Sequence, residues 1–208
     1  YIGGQNHLPI PLLFGGISKC LMLTTLELAH SRKTVRRFSQ EPVDLNKIMQ
    51  AVEVAGEAPS GANYQGWRFS IILNPKIKRR IREASEEGEK AFYGKVSGDW
   101  KEWLNDKKLS HSKPYLENAP VLLVVFARND VPYSTESVWL AIGYMLLALE
   151  ELGLATVTYT PSDTRLVENV IEVPEGYRLE AILPIGLPGG DEPKQPRESV
   201  DSLVKIYR

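Results

Sequence analysis

Residues 58–75 read APSGANYQGWRFSIILNP, which sets a loop, a strand and a helix start in succession. Pro59 stops any helix arriving from Gly56. Small residues fill the next positions, alternation predicts a strand over 67–73, and Pro75 opens a charged helix over 77–93. Upstream, Asp44 caps a second predicted helix. Its Leu45, Ile48, Met49, Val52 and Ala55 repeat at helical spacing and predict a buried stripe. A shorter helix is expected over 23–32. Downstream, the polar stretch 94–112, with Trp100 and Trp103, reads as a mobile insertion rather than core. VLLVVF at 121–126 predicts a strand buried on both faces. Ser134 or Thr135 is expected to cap a long helix over 136–152 that is apolar almost all round, through Val138, Trp139, Leu140, Ile142, Met145, Leu146 and Leu149. A strand over 155–160 follows. Pro161 and Ser162 then open a helix carrying Leu166, Val167, Val170 and Ile171, and a last strand covers 177–185. After a turn-rich segment the tail from Arg197 is extended or briefly helical. The class is α+β, a central sheet flanked by helices, with no internal repeat.

Composition narrows the functions available. The chain has 208 residues with 43% hydrophobic and 25% charged, an ordinary globular balance. A net charge of −1 gives no nucleic-acid footprint. Cys20 is the single cysteine, so a disulfide framework and a multi-thiolate zinc site are excluded, and a cytoplasmic location fits. His7, His30 and His111 are scattered, without HExxH spacing, and no metal site is expected; nor is there a GxGxxG, Walker or GxSxG motif. Residues 1–21 differ in character from the rest, rich in Gly and Pro and mildly apolar. The apolar run over 8–23 is too short and too interrupted to span a bilayer, and no basic segment precedes it as a secretory signal requires. Residues 1–21 are expected to be an N-terminal extension, either an upstream remnant before a start at Met22 or an arm lying on a partner subunit, with the domain proper over 22–208.

Four segments could carry chemistry. SRKTVRRFS at 31–39 gathers Arg32, Lys33, Arg36 and Arg37 around Thr34. It reads either as a solvated basic helix end or as a grip for a phosphomonoester, which takes charge-assisted forks from arginine. In 58–69, Gly61 and Ala62 let backbone N–H groups approach a planar ligand, and Ser60 and Asn63 add polar atoms; a plain helix–strand turn would look similar. TVTYTPSD at 156–163 ends a strand at a Thr-Pro step, where a hydroxyl could face a cleft. LPIGLPGG at 183–190, followed by Arg197, is turn-forming and could be only that.

Together and in this order, the four segments resemble the nitroreductase superfamily. There an Arg-x-x-x-Arg segment holds the FMN phosphate, matched by Arg32 to Arg36. A Pro-Ser-x-x-Asn-x-Gln-Pro-Trp loop lies beside the isoalloxazine, matched from Pro59 to Trp67 except that Gly66 stands where proline is expected. A late G-x-P turn with a basic residue closes the site, matched by Gly186 to Pro188 with Arg197. The resemblance covers the chain from about Leu23 onward. It implies a central mixed sheet, a homodimer, and FMN at the subunit interface. Arg32, Lys33, Thr34, Arg36 and Arg197 would hold the phosphate and ribityl chain. Pro59, Ser60, Gly61, Thr158, Tyr159 and Thr160 would line the cofactor, and Thr160 would offer its hydroxyl to the flavin N5.

Within that superfamily the iodotyrosine deiodinase branch is most similar, through APSGA at 58–62, GLATVTYTP at 153–161, and Glu89, Tyr93 and Lys113 in an insertion over about 88–115. By that resemblance Glu89 and Lys113 bind the ammonium and carboxylate of a halotyrosine. Tyr93, on the same helix face as Glu89 by i, i+4 spacing, adds a wall and a hydroxyl. The backbone N–H of Ala62 stabilises the substrate phenolate as an oxyanion donor does. The function implied is reductive dehalogenation of halotyrosine by reduced FMN, with NAD(P)H or another electron donor. Two alternatives stand beside it: a general NAD(P)H-dependent nitroreductase or quinone reductase acting on nitroaromatics, and a non-catalytic flavin-binding protein. No nucleic-acid or membrane partner is implied.

Overall fold

The VLLVVF run becomes β2 (Val121–Arg128), and every residue from Val121 to Ala127 is buried. In the computed structural model, which describes residues 23–208, β2 is an inner strand of a four-stranded sheet ordered β1-β2-β4-β3. The others are β1 (Trp67–Ile72), β3 (Ala155–Thr156) and β4 (Tyr177–Gly186). The expected extension over 1–21, with Met22, lies outside the described residues.

Alternate side chains of β2 face opposite layers, as the strand period requires. Leu123, Val125 and Ala127 pack with α2 (Leu45–Gly56) and α6 (Ser134–Glu151) on one side, around Ile48, Ile142 and Met145, and α1 (Thr25–Ser31) lies against α6. Leu122, Val124 and Phe126 face α3 (Pro75–Lys95), α5 (Tyr115–Asn118) and α7 (Thr164–Glu168), around Ile81, Leu116 and Val167. Helices on both faces are what a strand without polar alternation needs. The three pairings between named strands are all antiparallel. The parallel component of the expected mixed sheet is one bridge, Thr34 to Thr156, which ties the basic segment to the outer edge of β3.

Caps follow the sequence in part. Asp44 accepts from Asn46 N–H (2.9 Å), and Asn74 accepts from Lys76 N–H (2.9 Å) ahead of Pro75. Asp163, rather than Pro161 or Ser162, caps α7 by accepting from Arg165 N–H (3.1 Å). Neither Ser134 nor Thr135 caps α6. The N-cap is Tyr133 in the left-handed region (φ 55), because Ser134 Oγ donates to Arg128 C=O (2.6 Å) and Thr135 Oγ1 accepts from Arg178 (2.7 Å).

Burial departs from the pattern at the outer faces. On α2 only Ile48, Ala51 and Ala55 are buried, while Leu45 and Met49 are 41% and 55% exposed. On α6, Trp139, Leu140 and Tyr144 are likewise exposed. The stretch 94–112, expected as a mobile insertion, contains a helix of nine residues, α4 (Gly98–Asp106), which buries Leu104 and leaves Trp100 and Trp103 exposed. The tail is briefly helical as α8 (Val200–Leu203). Among the described residues no helix is long and apolar enough to cross a membrane.

Candidate active site

Glu89 and Lys113, 24 positions apart in sequence, meet as a buried ion pair, Lys113 Nζ to Glu89 Oε2 at 3.2 Å, each under 10% exposed. Helix α3 presents Glu89 one turn after Ser85, and the segment before α5 returns Lys113 to it. Four further contacts hold the pair. The phenol of Tyr159 and the hydroxyl of Ser162 both donate to Glu89 Oε1, at 3.1 Å and 2.7 Å. Lys113 Nζ also donates to Ser110 C=O and lies 5.4 Å from the centre of the Tyr93 ring. Burial, then the Glu89 charge, raises the Tyr159 phenol above its ordinary pKa, so it stays a donor. The same causes raise Tyr93. Glu86 fixes the backbone of the returning segment: it accepts from Lys113 N–H (2.7 Å) and Arg82 (2.9 Å). Burial pushes the Glu86 carboxyl up, but these donors outweigh it and hold the group below its ordinary value. A zwitterion needs these two charges held apart from water, and the structure brings all three residues expected for that role together.

Loop 58–66 lies ahead of β1. Ala62, Asn63 and Gln65 all have positive φ (48°, 57° and 48°), a cluster of non-glycine strain of the kind found at ligand-binding turns. Around them Gly61 N–H donates to Ser137 Oγ (3.1 Å), Asn63 N–H to Ser60 C=O (3.0 Å), Tyr64 N–H to Gly61 C=O (3.0 Å), and Gln65 N–H to Ser60 Oγ (3.0 Å). The Ala62 N–H enters none of these bonds and is open to a ligand oxygen. Gly61 is tight against α6: a Cβ there would sit 3.0 Å from the Tyr133 side chain. The Ser60 hydroxyl, expected near the cofactor, is used inside the loop.

Lys33, Thr34, Arg36, Lys194 and Arg197 line a cleft of about 200 Å³. Its cations suit a phosphate group, and Glu192 lies among them. The GLPGG turn over 186–190 packs against the basic segment: Gly189 N–H donates to Arg37 C=O (2.8 Å), and a Cβ at Gly189 would meet the Phe38 backbone at 2.6 Å. Arg32 beside it is half-buried, and its Nε is buried without a hydrogen-bond partner. Burial lowers its pKa, Glu150 counteracts this, and the nearby Arg197 charge lowers it further. Clustered guanidiniums with an orphaned buried donor are what an anion would complete. Lys33 and Arg37 are partly neutralised by Asp191 (3.0 Å) and Glu192 (2.8 Å).

The strand segment beyond β3 alternates. Thr158 is half-buried, Thr160 exposed, and Tyr159 buried with its backbone paired to Ile182 in both directions. Tyr159, expected to line the cofactor, is thus committed to Glu89. Its role was open to strand alternation, which sets it on the opposite face from Thr158 and Thr160. Ser162, Glu86 and Ser137 gave no signal in sequence. The structure does not bring the loop to the cation cleft: β2 and β4 intervene, and three strand spacings set the two sheet edges about 14 Å apart.

Among the described residues no group of three or more His, Cys, Asp or Glu side chains is arranged to hold a metal ion. A layered α+β fold with a cation cleft at one sheet edge and a strained small-residue loop at the other defines the class. The family model described as "Nitroreductase family" matches residues 29–187, and the chain belongs to that family. Among its relatives, the iodotyrosine deiodinase of Thermotoga neapolitana is 52% identical over 174 residues, covering 84% of this chain and 94% of its own. That of Haliscomenobacter hydrossis is 35% identical, covering 85% of each. A crystal structure of oxidized iodotyrosine deiodinase bound to FMN and 3-iodo-L-tyrosine superposes with a TM-score of 0.84 at 49% identity, over 89% of this chain and 99% of that one. A nitroreductase with bound FMN from Bacteroides fragilis shares the fold, with a TM-score of 0.70 at 20% identity over 88% of this chain and 98% of that one.

Proposed function

We propose that this chain is an FMN-dependent oxidoreductase that removes halide reductively from halotyrosines, acting as a cytoplasmic homodimer with NAD(P)H or another donor supplying electrons. The observation that carries the substrate assignment is the buried Glu89–Lys113 pair beside Tyr93. An aryl substrate without charged ends would have no use for two opposite charges held in a dry site.

Arg32, Lys33, Thr34, Arg36 and Arg197 would hold the FMN phosphate, and the orphaned Arg32 Nε fits that role. Pro59, Ser60 and Gly61 shape the wall beside the ring, and Thr158 and Thr160 face it from the strand. Bound and reduced, FMN supplies the two electrons that, with a proton, convert an aryl carbon–halogen bond to carbon–hydrogen and release halide. Thr160 offers its hydroxyl as a donor toward the cofactor. Ala62 N–H stabilises negative charge on the phenolic oxygen, so the electron-rich ring is held in one place. Glu89 and Lys113 exchange their contact with each other for the ammonium and carboxylate of the substrate, and Tyr93 walls the site. Residues 88–115, with α4, act as the lid and exclude water once the ligand bridges them to the sheet.

The test is binding. Iodotyrosine should quench the fluorescence of bound oxidised flavin with at least about tenfold higher affinity than iodophenol, a difference of about 1.4 kcal/mol. Lys113→Ala should erase most of that preference and leave FMN bound. Equal affinity for the two phenols in the unmodified protein would leave general nitroreductase chemistry as the better account.

A further inference from the structure

The two oxygens of Glu89 are used differently. Oε1 takes both hydroxyls, Tyr159 and Ser162, whereas Oε2 faces only Lys113. A carboxylate on a long side chain has free rotations to lose before it can hold an ammonium, and the loss weakens binding unless it is met in advance. Two donors from the segment between β3 and α7 meet it here. We propose that Tyr159 and Ser162 are positioning residues for substrate recognition: they pin Glu89 Oε1 so that Oε2 stays aimed to exchange Lys113 for the ammonium of an amino-acid ligand.

This rests on the halotyrosine reading. Tyr159 also joins two parts of the site. Its neighbours Thr158 and Thr160 point to the opposite side of the same strand segment, and its backbone is locked to Ile182 in both directions (2.9 and 2.8 Å). Its ring packs edge-on against Tyr115 at 6.1 Å. The phenol is therefore set by its strand backbone and by Tyr115, and it ties Glu89 to the strand. Burial keeps the phenol protonated, as the role requires. Ser85, one turn before Glu89, is buried beside the same phenol, whose hydrogen goes to Glu89 Oε1 at 3.1 Å.

The experiment uses the FMN-loaded protein with Tyr159→Phe, which keeps the ring packing, and Ser162→Ala, which alters a residue at the surface. Affinities for iodotyrosine and iodophenol are read by flavin fluorescence quenching, alongside FMN retention and thermal melting. Tyr159→Phe should weaken iodotyrosine binding about tenfold and leave iodophenol within about twofold, because only the amino-acid end meets Glu89. Ser162→Ala should move the same way, and the double variant should fall further than either. Unchanged iodotyrosine affinity in the variants, or equal weakening of both ligands, would overturn the proposal while the halotyrosine reading stood. No preference for iodotyrosine in the unmodified protein would overturn both. Should Tyr159→Phe lose FMN or melt early, Ser162→Ala decides: selective loss of iodotyrosine supports the assignment, and no loss refutes it.

Discussion

Arg32 separates a binding role from a structural one, because it does little for the protein alone. Its Nε is buried without a partner, its guanidinium is desolvated, and Arg197 repels it. Removing a half-buried charge whose Nε has no partner relieves desolvation, offset in part by the lost attraction to Glu150, whereas removing a ligand's hydrogen-bond donor weakens the ligand by about 1.5–3 kcal/mol. Arg32→Ala should therefore raise the urea midpoint of the FMN-free protein slightly and weaken FMN binding by about ten- to a hundredfold. Arg197 is exposed and donates only to the C=O groups of Gln195 and Pro196 (3.1 and 3.2 Å), so Arg197→Ala should weaken FMN with no change in the free protein. An Arg32→Ala protein that is less stable without FMN, and retains it fully, would make the residue structural. Residue identity alone left the basic segment open between a solvated helix end and a phosphate grip. Burial of Arg32 is a tertiary property, set by the contact of Thr34 with Thr156 and of Phe38 with Pro188 across more than a hundred positions.

At the scale of elements, legibility followed locality. The Asp44 cap, the Pro75 helix start and the apolar run of β2 are written in a few adjacent residues, and the structure keeps all three. The α6 cap was misread because Ser134 and Thr135 bond to Arg128 and Arg178, partners that spacing does not reveal. Glu89 and Lys113 likewise have no local rule joining them. What joins them is α3, through Glu86, whose carboxylate ties the Lys113 backbone to Arg82 and is only 14% exposed. Glu117 extends the cluster, accepting from Arg79 and Arg82 at 3.0 and 3.1 Å. The Glu86 pKa is depressed on folding, so its contribution is complete above the unfolded value near 4.5 and is lost as pH falls through the lower folded value. Glu86→Gln should lower stability at pH 7 by about 1–2 kcal/mol. It should also flatten the decline of stability below about pH 4.5, since one carboxylate fewer is protonated there. Iodotyrosine affinity should hold, because the glutamine amide oxygen still accepts from Lys113 N–H and only the charge is lost. Denaturant titrations between pH 7 and pH 3 check the first two points; an acid limb as steep as that of the unmodified protein would remove Glu86 from the account.

The whole molecule leaves its cofactor parts apart within one chain. The cation cleft and Thr160 lie toward the β3 edge and the Ala62 loop lies ahead of β1, with β4 and β2 between them. Exposed Leu45 and Met49 on α2, and Trp139, Leu140 and Tyr144 on α6, form apolar surface that a second copy would cover. We therefore expect sedimentation of one species near twice 23.3 kDa, and each cofactor to take its cleft from one copy and its loop from the other. Complementation tests the sharing directly. Arg32→Ala disables the cleft, and Gly61→Val disables the loop by driving a side chain toward Tyr133, where even a Cβ would stand only 3.0 Å away. Each variant alone should bind flavin poorly. Co-expressed with different tags and purified through both, the mixed dimer should recover one intact site of its two, since the good cleft of one copy meets the good loop of the other. Were each site built within one chain, the mixed dimer would contain one defect in every site and recover nothing. Flavin content of the doubly purified dimer decides between the two: about half occupancy supports the shared site, and the low occupancy of the parents would refute it.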